Sequence, residues 1–211
     1  MTNRIEEQYL DGLYAPDKEL ERIQQRIKAC GMPDISVEVG YGRLLTMLGR
    51  MSKAQRALEI GALGGYSGLC ILRGLTGERK LMSLELKEDY AKLAKQNLEE
   101  AGFGNHVEYR IGAALDSLAI LVEEQQQYDL FFIDADKENY VHYLEYCLKL
   151  AHKGAIIVVD NLFLRGRTLD PNKQGPSVQA IRKFNALLAQ DKRLETTMLP
   201  AYDGLAIAIV R

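Results

Sequence analysis

Short apolar runs at 57–60, 81–84, 107–111, 130–133 and 155–159 alternate with helical patterns at about 66–75, 87–101, 113–124, 138–151 and 176–190. This alternation predicts right-handed βαβ crossovers and a parallel sheet covered on both faces. Two further runs, 194–199 and 205–209, are joined by Pro200-Ala201-Tyr202-Asp203-Gly204. So short and turn-rich a connection predicts an antiparallel pair. The expected fold is therefore α/β: a doubly wound, mostly parallel sheet with an antiparallel C-terminal edge strand. Nearly every apolar run ends on an acidic residue or a glycine: Glu59-Ile60-Gly61, Glu85, Asp134 and Asp160-Asn161. In an open α/β sheet, ligands sit beyond the carboxyl ends of the strands. Those ends are where chemistry is to be sought.

Ahead of the first run, Leu20, Ile23 and Ile27 recur at helical spacing within 17–30, and Gly31-Met32-Pro33 stops that helix. A second helix is expected over 42–51. The 211 residues suit one domain, 1–211, with the helices of 1–51 covering the site. A formal net charge of −2 supplies no global cationic field for nucleic acid or an anionic membrane. No apolar run approaches the ~20 residues of a membrane span, and residues 1–20 carry no apolar signal-peptide core. Cys30, Cys70 and Cys147 are widely spaced with no Cys-x-x-Cys pair, so they read as reduced residues of a cytoplasmic protein.

Gly61, Gly64 and Gly65 follow a strand and open a helix, which permits close backbone approach to a ligand and turns a helix N-terminus toward it. The spacing is not the Gly-x-Gly-x-x-Gly of dinucleotide binders, and Glu59 would repel a phosphate. By itself the pattern is equally a tight strand-to-helix turn. Glu85, at the end of the next strand, is placed to accept hydrogen bonds from ribose hydroxyls, and the two together point to a nucleoside-type cofactor. Asp134 and Asp160-Asn161 end two other buried strands. Neighbouring strands lie roughly 5 Å apart, so the three side chains can converge. Two carboxylates and an amide suit Mg²⁺ or Ca²⁺ rather than Zn²⁺. Either strand end alone is more simply a cap or turn.

The ordered set LEIGALGGYS (58–67), Glu85, GAALDSL (112–118), FFIDADKENY (131–140), VVDNLFLRG (158–166) and YDGLAIAIV (202–210) resembles the metal-dependent O-methyltransferases of the caffeoyl-CoA and catechol type, the bacterial small-molecule members above all. The likeness runs over essentially the whole chain and implies a Rossmann-like methyltransferase fold and a homodimer. It implies that S-adenosylmethionine (SAM) is bound by Glu59, Gly61 and Gly65 on its methionine and ribose side. Ser67 would meet the methionine carboxylate, Glu85 the ribose hydroxyls and the backbone of Ala114 the adenine edge. Asp134, also beside the cofactor, would hold a divalent cation with Asp160 and Asn161: Mg²⁺ first, with Mn²⁺ or Ca²⁺ as alternatives. Lys137 would be the general base, since a buried amine beside a cation loses its proton more readily. The expected acceptor is a small hydroxylated aromatic molecule with vicinal oxygens, both engaged at the metal. Departing from the plant enzymes, the chain offers no match to a CoA-binding surface.

Two rival readings differ in class. Some bacterial relatives resembling this group methylate a hydroxylated uridine in tRNA, and Arg165, Arg167, Lys173, Arg182 and Lys183 form a modest basic stretch. A non-catalytic nucleotide-binding module would make the metal set a coincidence.

Overall fold

The computed structural model describes residues 5–211. The first four residues of the N-terminal region expected to cover the site lie outside the described residues. Seven strands form one sheet: β1 (Arg56–Ile60), β2 (Lys80–Glu85), β3 (Val107–Ile111), β4 (Tyr128–Ile133), β5 (Ala151–Asp160), β6 (Leu194–Leu199) and β7 (Leu205–Val210). Their order is β3-β2-β1-β4-β5-β7-β6. The first five run parallel, and β7 is antiparallel to both β5 and β6. The antiparallel strand is thus inserted beside β5, and β6 forms the edge.

Helices α1 (Ile5–Gly12), α2 (Lys18–Ala29), α3 (Val39–Met51), α4 (Tyr66–Gly74), α5 (Glu88–Glu100), α6 (Ala114–Glu123), α7 (Tyr140–Leu150) and α8 (Pro176–Gln190) complete the chain. Alternate residues of the central strands point to opposite faces and build two cores. Leu58, Phe131, Ile157 and Val159 pack with α6, α7 and α8, whereas Ala57, Leu130, Phe132 and Val158 pack with α2, α3 and α4.

The helix expected over 17–30 is α2, with Asp17 as its N-cap; the Asp17 carboxylate accepts from Leu20 N at 3.2 Å. The helix expected from 42 begins at Val39. Gly40 and Gly42 are poor helix formers, and packing of Tyr41 and Leu45 into the core overrides that propensity. β5 begins at Ala151, four residues ahead of the expected run, because Ala151 pairs with Tyr128 before an irregularity in register restores pairing at Leu130–Ile156. Cys70 and Cys147 are buried, Cys30 is exposed, and all three are free. Among the described residues, no helix is long and apolar enough to cross a membrane.

Candidate active site

Strand order reverses between β1 and β4, and a crevice opens beyond the carboxyl ends at such a switch point. Two clefts occupy it. The first, about 500 Å³, is walled by Gly61, Ser67, Glu85, Ala114 and Asp134, with Leu63, Leu86 and Leu115 among its apolar residues. The second, about 590 Å³, is walled by Asp134, Lys137, Asp160, Asn161, Leu164 and Arg165. Asp134 and Ala135 belong to both, as do Ile35, Ser36 and Val37 from the segment joining α2 to α3. That connecting segment, with Gln24 of α2, is the part of the N-terminal region that covers the clefts.

Each wall of the first cleft has a local cause. Gly61 has φ +100°, and a Cβ there would lie 2.1 Å from the carbonyl oxygen of Asp134. Only glycine lets the ends of β1 and β4 approach so closely. Gly65, at φ +86°, caps α4 with its back against the Ala94 backbone. It is not part of the cleft wall, and its glycine serves the packing of α4 on α5. Glu85 is nearly buried and binds the glycine turn. One oxygen accepts from Ala62 N at 3.1 Å and Leu63 N at 2.9 Å, and the other from Lys87 N at 3.0 Å.

Glu59 lies behind the wall rather than in it. It is 1% exposed, and the hydroxyls of Ser67 and Ser83 each donate to it at 2.6 Å. Burial pushes its carboxyl up to about 7 against those two hydrogen bonds, with the charges of Glu85 and Asp134 adding to the rise.

In the second cleft, Lys137 Nζ donates to Asp134 Oδ1 at 2.8 Å, Asn161 Oδ1 at 2.7 Å and the Tyr140 hydroxyl at 2.6 Å. All three N–H bonds of the ammonium are thereby engaged. Asp160 is buried, and one of its oxygens accepts from Asn161 N at 2.7 Å. Burial, and then the charge of Asp134, holds the Asp160 carboxyl well above the usual carboxylate range. Asn161 sits in the left-handed region at φ +65°, which asparagine tolerates better than most residues. Its amide oxygen accepts from Lys137, and Asp203 is buried beside it; burial raises the Asp203 carboxyl, and the Asn161 amide is among the groups that offset the rise.

The structure therefore brings Asp134, Lys137, Asp160 and Asn161 together, as sequence reasoning expected. Among the described residues no group of three or more His, Cys, Asp or Glu side chains forms a metal cage; the set here is two carboxylates and an amide. Its chemistry fits a hard divalent cation. Every donor is oxygen, and one ammonium stands against the carboxylates of Asp134 and Asp160.

Two residues were missed. Asp203 stands beside Asn161 and accepts from the backbone N–H of Arg165, but an Asp-Gly pair between two strands is fully explained as a turn. Tyr140, readable only as wall or core, is fully buried with its hydroxyl on Lys137 and donating to the carbonyl of Asp160 at 3.2 Å.

A family model described as O-methyltransferase matches residues 15–211. The chain is 40% identical over 187 residues to a catechol O-methyltransferase of Niastella koreensis, covering 86% of this chain and 85% of that one. It is 37% identical over 188 residues to a catechol O-methyltransferase of Mycobacterium tuberculosis, covering 87% and 84%. Among solved structures, an O-methyltransferase from Bacillus cereus in complex with SAH superposes with a TM-score of 0.90 at 38% identity, covering 97% and 96% of the two chains. TomG from Streptomyces achromogenes in complex with SAM does so with a TM-score of 0.88 at 34% identity, covering 99% and 96%.

Proposed function

The chain belongs to the O-methyltransferase family and is a SAM-dependent O-methyltransferase, and from that premise we propose that it methylates a hydroxyl of a catechol-like small molecule with the help of a divalent cation. One observation carries this reading: Asp134 stands in the walls of both clefts, and Lys137, Asp160 and Asn161 gather beside it in the second. A methyl donor in the first cleft and an acceptor in the second would meet at that residue.

In this reading SAM lies in the first cleft, with its ribose hydroxyls at Glu85, its adenine edge at the backbone of Ala114 and its methionine end between Gly61 and Ser67. Asp134, Asp160 and Asn161 would hold the cation, Mg²⁺ before Mn²⁺ or Ca²⁺. A cation bound there supplies a Lewis acid that favours ionisation of an acceptor hydroxyl. Lys137 would first release a proton to solvent, which a bound cation favours, and as the neutral amine would take the hydroxyl proton from a position fixed by Tyr140. Asp203, beside Asn161, holds the backbone of Arg165 in the wall of the same cleft. Leu164 and the segment 35–37 confine an aromatic ring and exclude water, so that the acceptor oxygen is held in line with the methyl group. Positioning of that kind supplies much of the acceleration. The exposed Ile5, Tyr9 and Leu10 of α1, and Met47 and Met51 of α3, support the homodimer expected from the sequence.

The test is methyl transfer from labelled SAM to a panel of catechols and to unmodified tRNA in parallel, with and without EDTA. Transfer to catechols that EDTA abolishes and Mg²⁺ or Mn²⁺ restores is the expected result, while SAM binding persists in EDTA. Full activity of the metal-free enzyme would refute the cation's role, and methylation of tRNA alone would transfer the assignment to RNA.

A further inference from the structure

Glu59 does not reach the first cleft, yet it controls a hydroxyl that does. Ser67 lines the cleft and its hydroxyl proton points away from it, donated to Glu59 Oε1 at 2.6 Å. Ser83, fully buried, donates to the other oxygen. Ser67 is also the second residue of α4, and no side chain caps that helix. The first N–H groups of a helix lack intrahelical acceptors and carry partial positive charge, so this end of the cleft suits an anion. The anionic part of SAM is its carboxylate.

A serine hydroxyl has one proton. It cannot be donated to the cofactor's carboxylate and to Glu59 at once. If it turns to the cofactor, Glu59 is left as a charge in a site 1% exposed, with only Ser83 donating to it. A buried carboxylate in that condition is costly, and taking up a proton removes the cost.

We propose that cofactor binding draws one proton from solvent onto Glu59. The Ser67 O–H leaves Glu59 for the cofactor carboxylate, the new Glu59 O–H donates to Ser67 Oγ, and Ser83 continues to donate to Glu59. Glu59 is then a positioning residue that acts through Ser67, not a contact of the ligand. This rests on the placement of the cofactor's carboxylate at α4 given above.

The titratable groups facing Glu59 favour its neutral form. They are Glu85 from β2, Asp134 from the end of β4, Tyr109 from β3 and Cys70 from α4, all acids. The carboxyl already sits at about 7 in the free protein, so only a modest further rise is needed for uptake near neutral pH.

The experiment is calorimetric titration of metal-free protein with S-adenosylhomocysteine, in buffers of differing ionisation enthalpy, at pH 6 and pH 8. At pH 8 the wild type is expected to take up close to one proton more per ligand than Glu59→Gln, whose amide is always neutral. At pH 6 the difference should nearly vanish. Between them the wild-type affinity should fall by up to about tenfold per pH unit relative to the variant. The α-amino group of the ligand contributes equally to both proteins and cancels.

Equal uptake at pH 8 would overturn the proposal. Ser67→Ala separates that failure from failure of the placement: weakened binding supports a carboxylate at Ser67, and unchanged binding overturns placement and proposal together. Should Glu59→Gln not fold, 5′-methylthioadenosine, which lacks the amino-acid end, replaces it as the comparison. Its binding to wild type at pH 8 without proton uptake is expected, and uptake equal to that of S-adenosylhomocysteine would overturn the proposal.

Discussion

Glu85 shows how sequence can locate a residue in a cleft wall while the contacts that hold it there go unseen. Its position at the end of β2 marks it for ribose hydroxyls, but the three N–H groups of Ala62, Leu63 and Lys87 also converge on it. Glu85→Ala would therefore free the glycine turn as well as remove the ribose contact proposed above. A single polar group left unpaired costs about 1–3 kcal/mol, so losing several should weaken SAM binding by about 100-fold or more. Calorimetry on the folded variant checks this, and a loss under fivefold would argue against the tie. Asp134, Asp160 and Asn161 were legible because strand ends are fixed by apolar periodicity and the switch-point rule, whereas Lys137 was singled out by the family resemblance alone. Asp203 was not legible, because its partner Arg165 lies 38 residues away in sequence, and nothing local distinguishes a turn aspartate from one that ties down a distant loop.

At the scale of elements, the segment after β5 is the least predictable and among the most heavily braced. Leu164 and Arg165 both lie in the left-handed region, at φ +49° and +57°, before Gly166. Such backbone costs about 1–2 kcal/mol per residue, and surrounding contacts must hold it. Arg182 of α8 supplies many of them: it donates to the carbonyls of Thr168 at 2.9 Å, Lys173 at 3.0 Å and Asp170 at 2.6 Å. Sequence alone counted Arg182 with a basic stretch open to RNA. In the fold its guanidinium is spent on backbone, a use no sequence pattern announces. Arg182→Ala should loosen the wall formed by Leu164 and Arg165, raising the acceptor KM about 5- to 50-fold while the Kd for SAM moves less than twofold. Steady-state kinetics paired with calorimetry read both. The strands and most helices, by contrast, were legible to within a few residues. Alternating burial on two faces of the sheet leaves a strong period, whereas α3, with Gly40 and Gly42 in its first turn, is helical through tertiary packing.

Across the whole molecule, the sheet places its acidic and glycine strand ends on one rim, and two clefts share the middle of that rim. Their shared walls are Asp134 and Ala135 below and Ile35, Ser36 and Val37 from the α2–α3 connection. A wall common to two ligands gives their binding a route to thermodynamic linkage. Whichever arrives first packs against 35–37, and the second meets a wall that the first already touches. Linkage is reciprocal, so the factor by which SAM tightens the acceptor must equal the factor by which the acceptor tightens SAM; couplings of this kind commonly span about 5- to 150-fold. Titrations of each ligand with and without a saturating, unreactive partner should return the same factor greater than one. Ile35→Gly, which trims one shared wall, should shrink both factors together. A factor of one in both directions would mean that the two clefts, though they touch, bind as strangers.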